Sequence, residues 1–306
     1  GRLLVLGAPA IARALAVYEG SPPRVRAEIV ALIARGGGEA EIRKVLPALD
    51  DPDEYVARTA AGYLLDDLGP DRLDPALEGA LEAGAVKTER GRALAAGILR
   101  SHLYERVEME VRSKVTPGGG MCFYDGQFAE LQKMGEGVPE VVLTMFLEGA
   151  RYEYLHPVAD GEERAKLEFL VGEALVDVAN EGMRSLLHEE YREAASNEDR
   201  QKVIEAALAQ AGDLSLVQAK IRKLESDMRR SADPDHARHE LALLYYRIRM
   251  HDKSLALYQQ ILARRPGDTL ALYNMACALT RLGRIDEAFS ALERAQSLGY
   301  DVLAIG

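Results

Sequence analysis

The sequence contains no tryptophan and only two cysteines in 306 residues. Cys122 and Cys277 lie far apart, so neither a disulfide framework nor a cysteine metal site is expected, and a reducing compartment fits best. No apolar run approaches the roughly 18 residues that would span a bilayer, so no membrane partner is expected. We expect a soluble, cytoplasmic chain. Because it begins at Gly1 rather than Met, we also expect it to be a trimmed piece of a larger protein, and any upstream signal or anchor would lie outside it.

Basic residues are also too few for a nucleic-acid binder. The chain has 49 acidic and 38 basic residues, a formal net charge of −11, and such a surface is not built to neutralise phosphates. The excess is concentrated between residues 151 and 200, where 13 acidic residues face 6 basic ones. With 48% hydrophobic and 28% charged residues, the composition is that of a folded protein with two domains or one long repeat array.

In the N-terminal third, short apolar runs at helical spacing alternate with Gly, Pro and Asp. The breaks fall at residues 20–23, 36–38, 50–53, 69–70 and near 84. Asp53 precedes a helical run as an N-cap would, and Gly69-Pro70 closes that run. The pattern predicts helical hairpins from about residue 3 to residue 103.

Two short motifs in this region resemble HEAT-type helical repeats, whose helices meet at an Asp-Pro-Asp turn followed by Val-Arg and a small residue. Val25-Arg26-Ala27 matches closely, whereas Asp51-Pro52-Asp53 leads to Val56-Ala57-Arg58, with the arginine one residue late. The resemblance implies HEAT-like repeats over residues 1–115. After the break at glycines 118–120, residues 116–200 are predicted to form irregular, degenerate helical repeats with an acidic face.

The clearest repeat is C-terminal, within a predicted domain over residues 201–306. Two consecutive 34-residue units, 235–268 and 269–302, resemble tetratricopeptide (TPR) repeats, with small residues where helices approach and aromatics in the grooves. The matching positions are Leu241, Ala242, Tyr245, Ser254, Tyr258 and Pro266 in the first unit, and Met275, Ala276, Leu279, Gly283, Ala288, Leu292 and Ala295 in the second. The usual aromatic at the fourth position is absent, and the ending resembles the last repeat of bacterial arrays.

Together these resemblances imply an all-α fold, a right-handed superhelix (solenoid) of helix hairpins that is HEAT-like and then TPR-like. In the tetratricopeptide family the first helix of each hairpin lines a concave groove. Carried over by position, the resemblance implies a peptide-binding face that includes His239, Tyr246, Arg247, Tyr273, Asn274, Cys277 and Arg281. Asn274 sits where the clamp asparagine of chaperone-tail binders sits. However, His239 and Leu243 replace the lysine and asparagine that this clamp also needs, so a chaperone tail is not the expected ligand.

No catalytic signature is present. The glycines 118–120 lack the Lys-Ser/Thr of a phosphate loop, and Cys122 lacks a recognisable base. His236, His239 and His251 lack a further ligand at organised spacing, so no metal and no cofactor are expected.

Three functions stay open at this point. The first is a non-enzymatic scaffold or adaptor that binds a protein or peptide, as one module of a larger bacterial protein. The second is an enzyme or enzyme subunit, since HEAT-like repeats also occur in pigment lyases and in a DNA glycosylase family; the acidic balance disfavours the glycosylase. The third is a self-assembly module that associates through uncapped ends, where exposed apolar residues are expected at Leu3, Leu4, Val302 and Leu303. For the groove itself, the alternative to peptide binding is that its residues form an exposed surface that this protein does not use.

Overall fold

A computed structural model of the chain describes residues 8–114, 128–148 and 161–300. These three stretches contain sixteen α-helices and no strand, so the predicted all-α class is confirmed. The chain divides into two compact units, Gly1–Arg106 and Val107–Gly306. The predictions for Cys122, for glycines 118–120 and for the exposed apolar residues Leu3, Leu4, Val302 and Leu303 lie outside the described residues.

Helices of 5 to 25 residues follow one another with short connections. The first unit holds α1 (Ala8–Val17), α2 (Pro23–Gly36), α3 (Glu39–Val45), α4 (Glu54–Asp67), α5 (Pro70–Glu82) and the larger part of α6 (Glu89–Ser113). The second holds α7 (Ala129–Lys133), α8 (Val138–Glu148), α9 (Gly161–Val178), α10 (Arg184–Glu193), α11 (Glu198–Gln210), α12 (Ser215–Arg230), α13 (Asp235–Arg247), α14 (His251–Arg264), α15 (Thr269–Arg281) and α16 (Ile285–Ser297). In the part of the chain that the structure describes, none of these helices has the length and hydropathy needed to cross a bilayer.

The first unit is held by one apolar core beneath its hairpins. On α2, residues Val30, Ile33 and Ala34 recur at helical spacing and are fully buried. They belong to the same cluster as Leu64 of α4 and Leu77 of α5. Each helix therefore contributes one apolar stripe and gains its stability from its neighbours rather than alone.

The turn before α4 is tied to the preceding hairpin through a buried carboxylate. Arg26 on α2 donates to both oxygens of Asp51, from Nη2 at 2.7 Å and from Nε at 2.8 Å, and the Tyr18 hydroxyl donates at 3.1 Å. Burial opposes ionisation, but these bonds and the one from the Asp53 amide hold the pKa of Asp51 below its usual value. Arg26 and Asp51, one from each of the two HEAT-like motifs, thus form a bidentate ion pair.

Arg58, which stands one residue later in the second HEAT-like motif than Arg26 does in the first, has a different role. Arg58 on α4 reaches back one turn to Glu54, and both side chains are largely exposed. A helix turns by 100° per residue, so the one-residue offset moves the side chain away from the turn network and into solvent. Arg26 and Arg58 therefore form a matched pair for measuring what the buried contact contributes.

We expect Arg26→Ala to lower the melting temperature by about 5 °C or more, because it leaves the buried Asp51 carboxylate without its cation. Arg58→Ala should shift it by about 1 °C or less, since exposed helical ion pairs contribute little. Thermal unfolding followed by circular dichroism compares the two. Equal shifts would show that the Arg26–Asp51 contact is no more than a surface pair.

The C-terminal helices of the second unit repeat with a period of 34 residues. Helices α13 and α15 begin at Asp235 and Thr269 and end at Arg247 and Arg281. Their partners α14 and α16 pack against them, and α15 also packs against α14. The core between the hairpins contains Leu241, Ala242, Tyr258 and Ile261, each nearly or fully buried, and Ala271 from the following helix. Small residues at the helix crossings allow neighbouring helices to approach closely, and the large ring of Tyr258 fills the space between them.

The turn between α11 and α12 holds an acid whose ionised form is strongly favoured. Asp213 accepts hydrogen bonds from the Ser215 amide at 2.9 Å, and its other oxygen lies 2.8 Å from Nε2 of His188 on α10. The His188 bond first, then those from Ser215, lower the pKa of Asp213 from 3.8 to about 2. The carboxylate thus ties α10 to the turn that begins α12.

Because the pKa of Asp213 is lower in the folded chain than in the unfolded one, its stabilising effect is complete above the unfolded value and disappears as the pH falls towards the folded value. We expect Asp213→Asn to melt below the parent at pH 6, with the gap closing between about pH 4 and about pH 2. Melting curves across that range test this. A gap that stays constant down to pH 2 would contradict the shift.

Candidate functional site

The first helices of the two repeat units carry all seven residues that the sequence placed on the groove. Helix α13 provides His239, Tyr246 and Arg247, and helix α15 provides Tyr273, Asn274, Cys277 and Arg281. The structure joins the two sets at one end, where Nε of Arg281 donates to the Tyr246 hydroxyl at 3.2 Å. The guanidinium also lies 5.9 Å from the centre of the Tyr246 ring.

His239 belongs to the connection between the repeats. Its Nε2 lies 3.5 Å from Asp268, whose carboxylate caps α15 by accepting from the Ala271 amide at 2.9 Å. Its ring meets the buried Tyr258 edge-on at 5.7 Å between centroids. His239 therefore contacts the inter-repeat turn and the core, and only 16% of its side chain is exposed.

The groove tyrosines are packed against neighbours. Tyr246 lies against His251, with ring centres 5.3 Å apart, and Tyr273 lies against Tyr300 at 5.2 Å. Burial, followed by the nearby Cys277 thiol, raises the pKa of Tyr273 to about 12, and burial also raises the pKa of Tyr246. Both hydroxyls stay protonated at neutral pH and act as hydrogen-bonding groups rather than as charges.

Arg247 is bound to a buried acid of helix α11. Its Nη2 donates at 3.2 Å to Glu205 on α11, whose side chain is fully buried. The other Glu205 oxygen accepts from Lys220 at 2.5 Å and from the Tyr191 hydroxyl at 3.1 Å. Three side chains, from α10, α12 and α13, thus converge on one carboxylate of α11.

Sequence reasoning missed Glu205, although a signal for it is present. It stands inside the run Ile204-Glu205-Ala206-Ala207-Leu208, whose other members are all buried. An acid on the apolar stripe of a helix needs cations close by. Lys220 on α12 is one of these cations.

Arg281 is also internal rather than displayed. Only 2% of its side chain is exposed, and its Nη2 lies 3.7 Å from Glu173 on α9. Arg249, in the turn between α13 and α14, donates to the same Glu173 oxygen at 2.9 Å and to Asp177 at 3.2 Å. The cationic end of the groove is therefore bound to two acids from the segment that the sequence marked as acidic.

Arg249 was not predicted, and its backbone is unusual. Its φ is +61°, in the left-handed region that favours glycine, and Gly283 occupies the equivalent position one repeat later with a φ of +69°. A side chain in this conformation costs roughly 1 kcal/mol more than glycine. Comparing the two units residue by residue reveals an arginine where the turn requires a glycine-like conformation.

The accessible residues that α15 adds to this face are uncharged, whereas α13 adds the exposed Glu240. Tyr273, Asn274, Cys277 and Thr280 are half-buried on α15. Leu243 on α13 and Leu270 on α15 are about half exposed, with relative exposures of 46% and 48%. Within the described residues, no three His, Cys, Asp or Glu side chains are close enough together to hold a metal ion. The accessible surface suits a peptide, with an amide for hydrogen bonds beside apolar and aromatic groups.

Comparison with known proteins identifies the C-terminal part alone. The sequence model of the tetratricopeptide repeat family matches residues 237–268 and 270–298. No curated protein and no solved structure has a significant match to the chain. The predicted resemblance of the C-terminal units to tetratricopeptide repeats is therefore confirmed, whereas the HEAT-like N-terminal repeats and the bacterial source stay predictions.

Proposed function

We propose that the chain is a non-enzymatic adaptor module that holds a protein or peptide against the first-helix face of its two C-terminal repeats. The observation that carries this proposal is the match of two consecutive repeat units, the second of which presents the uncharged, half-buried residues Tyr273, Asn274 and Cys277 on its first helix. Repeat arrays of this kind offer extended surfaces for protein partners. Tyr273 and Asn274 stand at the centre of the proposed binding set.

The buried cations of the groove are assigned a supporting role. Arg247 and Arg281 are bound to Glu205 and Glu173, so they position the face rather than grip the ligand directly. His239 supports the turn before α15, and Tyr246 supports Arg281. A protein partner, and not a nucleic acid, fits the net charge of −11. We further propose that the first unit is HEAT-like and that the protein works in the cytoplasm.

We expect Tyr273→Ala/Asn274→Ala to lose a protein that the parent captures from a lysate of the source organism. Arg281 is left unchanged because removing it would leave Glu173 without one of its cations and disturb the fold. The matched control is Gln259→Ala/Glu293→Ala, two exposed residues on the second helices α14 and α16. Mass spectrometry identifies the captured protein, and circular dichroism confirms that each variant is folded.

The control should retain the partner. Capture of the same partner by all three proteins would remove the groove from the proposal and leave the acidic segment as the candidate surface. Loss by the control as well would indicate a change in stability rather than in binding.

Self-assembly is a second candidate, favoured by one surface of the last repeat. Ile285 and Phe289 lie one turn apart on α16 and are 46% and 61% exposed. Their equivalents 34 residues earlier, His251 and Leu255, are buried at 8% and 4%, in the region where α14 packs on α15. The face of α16 that carries Ile285 and Phe289 is therefore exposed, whereas the equivalent face of α14 is buried against the next repeat.

We expect Phe289→Glu to abolish any self-association of the parent in light scattering over a concentration series, because it places a charge on the apolar face of α16. Ser290→Glu, the next exposed residue, adds the same charge off that face and serves as the control. A parent that stays monomeric at the highest concentration would contradict self-assembly.

A further inference from the structure

Helix α12 carries exposed positive charge in a chain whose net charge is −11. The helix contains five basic and two acidic residues. Lys220 is bound to the buried Glu205. The other four basic side chains are exposed and, in the part of the chain that the structure describes, form no ion pair or hydrogen bond: Arg222, Lys223, Arg229 and Arg230. We call these four residues the α12 basic face, and no described residue neutralises its charge.

The α12 basic face consists of two rows of cations. A helix turns by about 100° and rises about 1.5 Å per residue, so residues seven apart differ by about 20° in direction and about 10.5 Å along the axis. Arg222 and Arg229 therefore form one row, and Lys223 and Arg230 form the other. Small uncharged residues separate the rows, namely Ser215, Ala219 and Ser226. The face thus presents a two-by-two array of cations with no acid between them.

The two acidic residues of α12 lie beside this face rather than on it. Glu225 is close to Tyr245 on α13: burial first, and then the charge of Glu225, raise the pKa of Tyr245. Asp227 lies on the other side of the helix, beyond the row of Lys223 and Arg230. Neither acid forms an ion pair with a cation of the face. The array is therefore open to carboxylates from another molecule.

The opposite side of α12 is already used in packing. Val217 is buried, and Ile221, Leu224 and Met228 pack on the core of the first C-terminal repeat. An amphipathic helix binds a bilayer by burying such an apolar side among the lipids, and that side of α12 is occupied. A long nucleic acid would meet the field of a chain with a net charge of −11. A short acidic segment of a protein contacts α12 alone and meets neither obstacle.

We propose that the α12 basic face docks an acidic helical segment of a partner protein, whose paired carboxylates stand two helical turns apart. Charge complementarity carries the proposal, because four exposed cations on one helix have no partner among the described residues. Three of the four are arginines, whose planar guanidinium groups match carboxylate geometry. A helix whose acidic pairs recur every seven residues places one carboxylate opposite each cation. The surface lies on a different helix from Tyr273 and Asn274, so it goes beyond the proposed groove.

The probe is a fluorescein-labelled helical peptide of alanine and glutamine that carries two pairs of adjacent glutamates seven residues apart. The reference peptide has the same composition with the pairs five residues apart, which points them about 140° away from each other. We expect the parent to bind the probe about tenfold more tightly than the reference in fluorescence anisotropy at low ionic strength, because exposed ion pairs are individually weak and must act together. Added salt should weaken the binding, since it screens exposed charges.

Two double variants each remove one row of the face: Arg222→Gln/Arg229→Gln and Lys223→Gln/Arg230→Gln. Each should weaken binding of the probe about tenfold, because half of the ion pairs are lost. The matched control is Arg24→Gln/Lys44→Gln, which changes the net charge equally at two exposed positions on α2 and α3 and should bind as the parent does. Glutamine has a helix propensity close to those of lysine and arginine, and circular dichroism confirms that each variant is folded. If a row variant does not fold, the comparison of the two peptides on the parent still decides.

Equal affinity of the parent for the two peptides, or full affinity in both row variants, would overturn the inference. Duplex DNA and vesicles of phosphatidylcholine with phosphatidylserine are tested in the same way. If either binds the parent more tightly than the probe does and is lost in the row variants, the face is a phosphate-binding surface and the proposal is wrong. All of these variants leave α15 unchanged, so the groove proposal stands or falls on its own experiment.

Discussion

The helix hairpins that the structure describes in each unit have apolar faces that they cover only by stacking on their neighbours. In the first unit α2 buries Val30 and Ile33 only because α3, α4 and α5 add residues to the same cluster. In the second, Tyr258 is buried among residues of two successive repeat units. Stacking is therefore the condition on which helix formation, turn geometry and the groove all depend. A helix that lost its neighbour would expose its stripe and would be only marginally stable in water.

Stacking by apolar contact alone does not fix the rotation and spacing of neighbouring hairpins, and buried carboxylates supply that constraint. Asp51 joins α2, the turn after α1 and the turn before α4 through directional bonds. Glu205 does the same for four helices of the second unit. Such groups are costly to bury and strongly penalise any arrangement that leaves them unpaired, so they select one geometry among the many that hydrophobic packing would allow.

Periodicity was enough to predict the fold class and the C-terminal repeats, because the apolar spacing and the 34-residue repeat are properties of the sequence itself. The groove residues could be assigned to helices by the same register. The contacts of these residues could not be predicted. Arg281 pairs with Glu173, which is more than 100 positions away in the sequence, and no local pattern indicates such a pairing. Arg26 and Arg58 show the limit most clearly: similar motifs one residue out of phase produce one buried contact and one surface pair.

The predicted groove is held differently at its two ends. At the Arg247 end, a carboxylate that accepts three hydrogen bonds fixes the position of α13 relative to α10, α11 and α12. At the Tyr273 end, the ring contact with Tyr300 is a dispersion contact that tolerates sliding and tilting. Mechanically, the face is stiff at one end and compliant at the other. A peptide bound as proposed would therefore be accommodated by deformation near Tyr273, and the rigid end would set its register.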